Sequence, residues 1–190
     1  DCLSADLTTE SPLVEVVIVS KSSPDTGIQV LNAIRDNGLN ISRSAFVFGS
    51  PVAPYIKDFN VDLFLTTNRE DAQQVADANI CACAILDATP VNTYELDTDQ
   101  LRIAFDGDAV LFDDSGELLY KQQGLQAFHD REAEMIDLPI EKGPYAELLI
   151  KLSKLQQRLP AKVHHCPIKI ALVTARNAPA DLRAIKTLRA

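Results

Sequence analysis

Apolar residues along the chain gather into short, nearly unbroken runs at 14–19, 45–48, 61–65, 80–86, 101–105 and 168–173. These runs are rich in β-branched or aromatic side chains and do not alternate with polar ones. That pattern predicts strands covered on both faces, as in a parallel sheet. Between them the spacing changes to that of helices. Residues 26–37 carry Ile28, Leu31 and Ile34 on one side and meet Gly38 as a stop; 69–78 reads as a second helix. Residues 145–158 form the clearest one, with Pro144 in its first turn and a stripe of Leu148, Leu149, Leu152, Leu155 and Leu159. The last spans 181–188. Strands alternating with helices predict an α/β fold with a mostly parallel sheet.

One segment departs from this alternation. Residues 109–112, the turn-rich Asp113-Asp114-Ser115-Gly116 and residues 117–120 read as a β-hairpin flap with both aspartates at its tip. Residues 121–162 then supply two helices before the next strand. The whole stretch, about 112–162, reads as a small helical cap over the end of strand 101–105. A boundary is expected at 89–100, which holds Pro90, Glu95, Asp97 and Asp99 and no apolar run. It separates residues 1–92 from 93–190, unless the two halves share one composite core. A shift of 154 positions lays Ile18-Val19-Ser20 on Leu172-Val173-Thr174. It also lays Ile28, Leu31, Ile34 and Arg35 on Leu182, Ile185, Leu188 and Arg189. The echo fits either a generic strand–helix pattern or a duplicated unit.

Composition narrows the partners. The 190 residues carry 18 Lys and Arg against 27 Asp and Glu, a net charge of −9. That balance argues against a nucleic-acid polymer or an anionic membrane surface. No apolar run approaches the roughly 18 residues that span a bilayer, and no basic-then-apolar segment of signal type opens the sequence. Cys2, Cys81, Cys83 and Cys166 are too few for a disulfide scaffold. Cys81 and Cys83 read as core residues, and His164-His165-Cys166 lacks a second ligand pair for a metal. A reducing cytoplasm is the expected compartment.

The chemistry concentrates at Phe105-Asp106-Gly107-Asp108, where an apolar strand runs into two carboxylates. Open α/β sheets place ligands at this carboxyl end, and Gly107 permits a sharp bend that brings Asp106 and Asp108 together. Asp106 is suited to attack phosphorus as a nucleophile. Asp108 is suited to protonate the leaving alkoxide and then deprotonate the hydrolytic water. Mg2+, held by Asp106 and Asp108, would let a phosphate dianion approach them. Thr174, also at a strand end, offers a hydroxyl and a nearby amide to an anion. Arg176 either contacts substrate or anchors its loop. Gly143-Pro144 opens the cap helix. His129 and Asp130 read as solvent-facing, and Phe128, Tyr120 and Tyr145 as base-stacking or cap-core residues.

Phe105-Asp106-Gly107-Asp108-Ala109-Val110 resembles motif I of the haloacid dehalogenase superfamily. The run 104–112 is similar to the cytosolic 5′-nucleotidase type I family, as are Leu172-Val173-Thr174-Ala175-Arg176, Lys186-Thr187-Leu188-Arg189, Lys142-Gly143-Pro144 and Cys166-Pro167-Ile168. The resemblance implies a haloacid dehalogenase-like Rossmannoid sheet with a cap. It also implies Mg2+-dependent hydrolysis of nucleoside monophosphates through an aspartyl phosphate. It makes Asp106 the nucleophile, Asp108 the acid/base, and Thr174, Ala175 and Gly107 phosphate contacts. The superfamily's later lysine and acidic pair do not follow Thr174, so the chain is expected to be part of a longer polypeptide. Gly49-Ser50-Pro51 through Lys57, then Val61 to Asn68, resembles a degenerate form of those motifs. Lys57 stands there as the phosphate lysine, while Thr66 and Thr67 replace the acids. A sugar-phosphate phosphatase and a non-catalytic nucleotide-binding or oligomerisation module stay open, as does a homo-oligomer.

Overall fold

The computed structural model describes residues 13–87, 100–159 and 166–189. The chain divides into two compact units, Asp1–Leu96 and Asp97–Ala190. The boundary expected at 89–100 lies, Gln100 apart, outside the described residues, as do Cys2, His164 and His165.

The N-terminal unit runs β1 (Val17–Ser20), α1 (Pro24–Asp36), β2 (Arg43–Phe46), α2 (Ala53–Asp58), β3 (Leu63–Thr66), α3 (Arg69–Asp77) and β4 (Ala82–Ile85). β1 pairs in parallel with β2, and β3 with β4. A helix joins each pair, as parallel neighbours require. The helix starts follow local chemistry. The Ser23 side chain accepts the Thr26 N–H ahead of α1, and the Asn68 side chain accepts the Glu70 and Asp71 N–H groups ahead of α3. One core joins both strand pairs: Val47, Val52, Ile56, Phe64 and Val75, with Val19, Cys81 and Cys83 packed against it. Burial pushes the Cys81 thiol up to about 11. Buried Asp71 on α3 forms an ion pair with Lys21 at the end of β1.

The C-terminal unit runs β5 (Leu101–Asp106), a π-type turn (Gly107–Leu111), α4 (Ser115–Glu134), α5 (Ala146–Arg158), β6 (Ile168–Val173) and α6 (Ala180–Arg189). β5 and β6 pair in parallel, from Leu101 opposite Ile168 to Asp106 opposite Val173. Phe105, Leu111, Phe112, Ile140 and Ala184 form the core, lined by Leu148, Leu149 and Leu152 of α5. α6 turns Ala180, Arg183 and Ala184 inward and leaves Leu182, Ile185 and Leu188 exposed. On α1 only Ile34 of the expected stripe is buried. The plan is a mixed α/β one with parallel strands, of the Rossmann-like kind. Among the described residues no helix is long and apolar enough to cross a membrane.

The expected hairpin flap is not formed. Residues 107–111 close a turn in which the Phe112 N–H donates to the Gly107 carbonyl at 2.9 Å, and residues 115–134 are helical. Asp113-Asp114-Ser115 serves as a helix start rather than a hairpin tip. The Ser115 hydroxyl donates to Asp113 at 2.9 Å. Glu117 sits in the first turn and pairs with Lys121 at 2.6 Å, four residues on. Phe112 finds its antiparallel partner in Lys142 instead. The backbone breaks from helical geometry at Gly124, which divides α4 into two runs and blurs its periodicity.

Candidate active site

β5 alternates its side chains, so Phe105 enters the core while Asp106 stands exposed at the strand's carboxyl end. There the Gly107 N–H donates to Asp106 Oδ1 at 2.7 Å. A side chain at Gly107 would meet Thr174: an added Cβ would lie 3.3 Å from both its Cβ and its Oγ1. The glycine therefore lets the turn pack against the residue that ends β6. The parallel register sets Asp106 opposite Val173, one position before Thr174.

Thr174 Oγ1 accepts the Arg176 N–H at 3.1 Å. The same hydroxyl turn closes β1, where Ser20 accepts from Ser22 at 3.2 Å, and β3, where Thr66 accepts from Asn68 at 3.0 Å. The Ser20 and Thr174 turns are the positions that the sequence echo overlays. Ala175 is exposed between Thr174 and Arg176.

Arg176 holds Asp108. Its Nε donates to Oδ1 at 2.9 Å and to Oδ2 at 3.1 Å, and its Nη2 donates to Oδ1 at 2.5 Å. Its Nη1 donates to Glu132 Oε2 at 2.8 Å, and Glu132 Oε1 accepts Arg183 Nη1 at 2.8 Å. The guanidinium also lies over the rings of Phe112 and Phe128, at 5.5 and 5.4 Å. The Arg176 and Glu132 side chains are each 2% exposed, whereas Asp108 is 29% exposed. Burial pulls the Arg176 pKa down, but the hydrogen bonds and charges of Asp108 and Glu132 outweigh it and hold the group above its ordinary value. Three nitrogens of Arg176 are thus engaged with protein carboxylates.

Around this centre, Gly143 packs on the turn. Its N–H donates to the Leu111 carbonyl at 2.9 Å, and the Tyr145 N–H donates to Val110 at 3.0 Å. His129 on α4 bonds Asn177 at 3.1 Å. Phe128 lies against Arg176, and Tyr145 packs on the core. The structure thus brings Asp106, Gly107, Asp108, Thr174 and Arg176 into one neighbourhood. Lys57 is exposed on α2, in the N-terminal unit. Glu132 and Arg183 are the participants that sequence reasoning missed. Their signal is faint: an arginine on the inward face of α6 needs a buried anion, and nothing local to Glu132 marks it as that anion.

Among the described residues no group of three or more His, Cys, Asp or Glu side chains is arranged for a metal ion. The donors at the carboxyl end of β5 are oxygens, the Asp106 carboxylate and the Asp108 carbonyl. Such a hard, sparse set fits Mg2+, which keeps several waters and shares substrate oxygens.

Comparison with known proteins bears on the whole chain. The family model described as 5′-nucleotidase matches residues 3–190. Human cytosolic 5′-nucleotidase 1B is 33% identical over 183 residues, covering 95% of this chain and 30% of that protein. The chain thus spans 30% of the length of this curated relative. No solved structure matches it.

Proposed function

Because the chain belongs to the 5′-nucleotidase family, we propose that it hydrolyses nucleoside 5′-monophosphates to nucleoside and phosphate. The observation that carries this reading is the packing of the Asp106-Gly107-Asp108 turn against Thr174 at the carboxyl ends of paired parallel strands. The fold is read as haloacid dehalogenase-like, with α4 and α5 as its cap.

Asp106 attacks phosphorus in line, and the phosphorus–oxygen bond to the nucleoside breaks. Asp108 gives the departing alkoxide a proton. Water then attacks the aspartyl phosphate, Asp108 takes its proton, and phosphate leaves with Asp106 restored. The Thr174 hydroxyl and the amide of Ala175 hold phosphate oxygens, and the Gly107 backbone lets them approach. The Asp106 carboxylate and the Asp108 carbonyl would hold Mg2+, which would supply charge neutralisation. The cytosolic name of the human relative supports a cytoplasmic setting.

The test is phosphate release from a panel of nucleoside 5′-monophosphates and sugar phosphates, with Mg2+. Turnover highest on nucleotides supports the reading. Turnover retained in Asp106→Asn would exclude the nucleophile, and preference for sugar phosphates would exclude the substrate class. Asp108→Asn should lower kcat/KM, which reports formation of the aspartyl phosphate, far more for nucleotides than for para-nitrophenyl phosphate, whose leaving group needs no proton.

A further inference from the structure

We infer that Glu132 is a positioning residue for this reaction, acting through Arg176 to hold the Asp108 carboxylate with Oδ2 as the oxygen that exchanges the proton. The inference rests on the hydrolase reading above. Asp108 Oδ1 accepts two N–H groups, at 2.5 and 2.9 Å, whereas Oδ2 accepts one at 3.1 Å. The guanidinium fork thus distinguishes two chemically equivalent oxygens and leaves Oδ2 the less engaged.

The fork is itself held on every side. The Phe112 and Phe128 rings flank it, and Glu132 takes Nη1. Glu132 is in turn fixed by Arg183, whose Nε donates to the Leu138 carbonyl at 2.9 Å and whose Nη2 donates to that of Pro139 at 3.4 Å. The line from the main chain at 138–139 through Arg183, Glu132 and Arg176 to Asp108 pairs two cations with two anions. Its outer end is only partly exposed. Asp108 sits after a bend, and its backbone torsions alone do not orient its carboxylate. A planar fork packed against two rings and tied to Glu132 does.

A network that merely docks α4 and α6 would weaken the fold and depress all activity alike. A positioning residue acts through Asp108, so its effect follows the leaving group and vanishes when Asp108 is gone. The experiment uses Glu132→Gln in the full chain, with Mg2+. Against a nucleoside 5′-monophosphate, kcat/KM, which reports formation of the aspartyl phosphate and not its hydrolysis, should fall about tenfold to a hundredfold. Against para-nitrophenyl phosphate the loss should stay below about threefold. Added to Asp108→Asn, Glu132→Gln should change nothing further on the nucleotide. Equal losses on both substrates, or full additivity with Asp108→Asn, would overturn the inference. Should Glu132→Gln fail to fold, Arg176→Lys keeps the charge, removes the fork and must give the same leaving-group signature. If the wild-type chain releases no phosphate, the hydrolase reading fails, and the clamp is judged by the Arg176 Nε–H resonance. A signal protected in wild type and lost in both Asp108→Asn and Glu132→Gln supports the clamp; one that survives in Glu132→Gln overturns it.

Discussion

Gly143 should not tolerate a single added methyl group. An added Cβ would lie 2.3 Å from the Phe112 carbonyl oxygen and 2.4 Å from that of Val110. Ordinary carbon–oxygen contacts begin near about 3.3 Å, so Gly143→Ala requires the two backbones to part by about 1 Å. Neither obstacle is a side chain that can swing aside. The displacement acts directly on three hydrogen bonds: Gly143 N–H to Leu111, Tyr145 N–H to Val110, and Asp113 N–H to Glu141 at 2.9 Å. At about 1 kcal/mol each, the loss is about 3 kcal/mol. The C-terminal unit, Asp97–Ala190, holds roughly 90 residues, for which the unfolding entropy is about 0.2 kcal/mol per kelvin. Its Tm should therefore fall by about 15 °C. Scanning calorimetry measures the fall, and amide hydrogen exchange should localise it to Phe112, Asp113 and Tyr145. A Tm within about 3 °C of wild type, with protection of those amides intact, would refute the reasoning.

Other outcomes follow from the same structure. Asp106→Asn should abolish phosphate release while shifting Tm by less than about 2 °C, because it changes an exposed side chain by almost no volume; calorimetry beside the activity assay checks both. Glu132→Ala leaves Arg176 and Arg183 buried beside each other without their shared anion. It should cost about 3–5 kcal/mol in denaturant unfolding, and a loss under about 1 kcal/mol would contradict the buried pairing. Cys81 has its thiol pushed up to about 11 by burial and by Cys83. Since burial disfavours the thiolate, alkylation of Cys81 in the Cys83→Ala variant should be slow at about pH 8 and should climb with pH above about 9. A rate that levels off below about pH 9 would contradict that shift.

The strand positions were legible because each apolar run is bounded by residues that end it. β6 coincides with the apolar run 168–173, closed by Pro167 and Thr174. β1 begins at Val17 rather than at residue 14, and Val14 and Val16 are exposed. α2 escaped notice because six residues with Ile56 alone buried cannot display a period. The hairpin expectation failed on residues whose side chains suit a strand, Leu118, Leu119 and Tyr120. Their backbone is governed by the acidic helix start before them and by Lys142, which takes the antiparallel place beside Phe112. At the site, Asp106, Asp108 and Thr174 were visible because strand ends and a glycine bend mark them. Glu132 was not. Its partner Arg176 is 44 positions away, and its importance comes from burial between two arginines that only the folded chain creates.

The pairing of β5 with β6 carries one more implication. A slip of two residues between these strands would keep every apolar side chain on its proper face, so hydrophobic burial alone does not forbid it. Yet such a slip would carry the acidic tip about 6.6 Å past the hydroxyl at 174. What selects the working alignment is the close fit of Gly107 against Thr174 and the grip of Arg176 on Asp108. The residues that align the strands are therefore the ones that would perform the chemistry, so a mispaired chain arrives already inert.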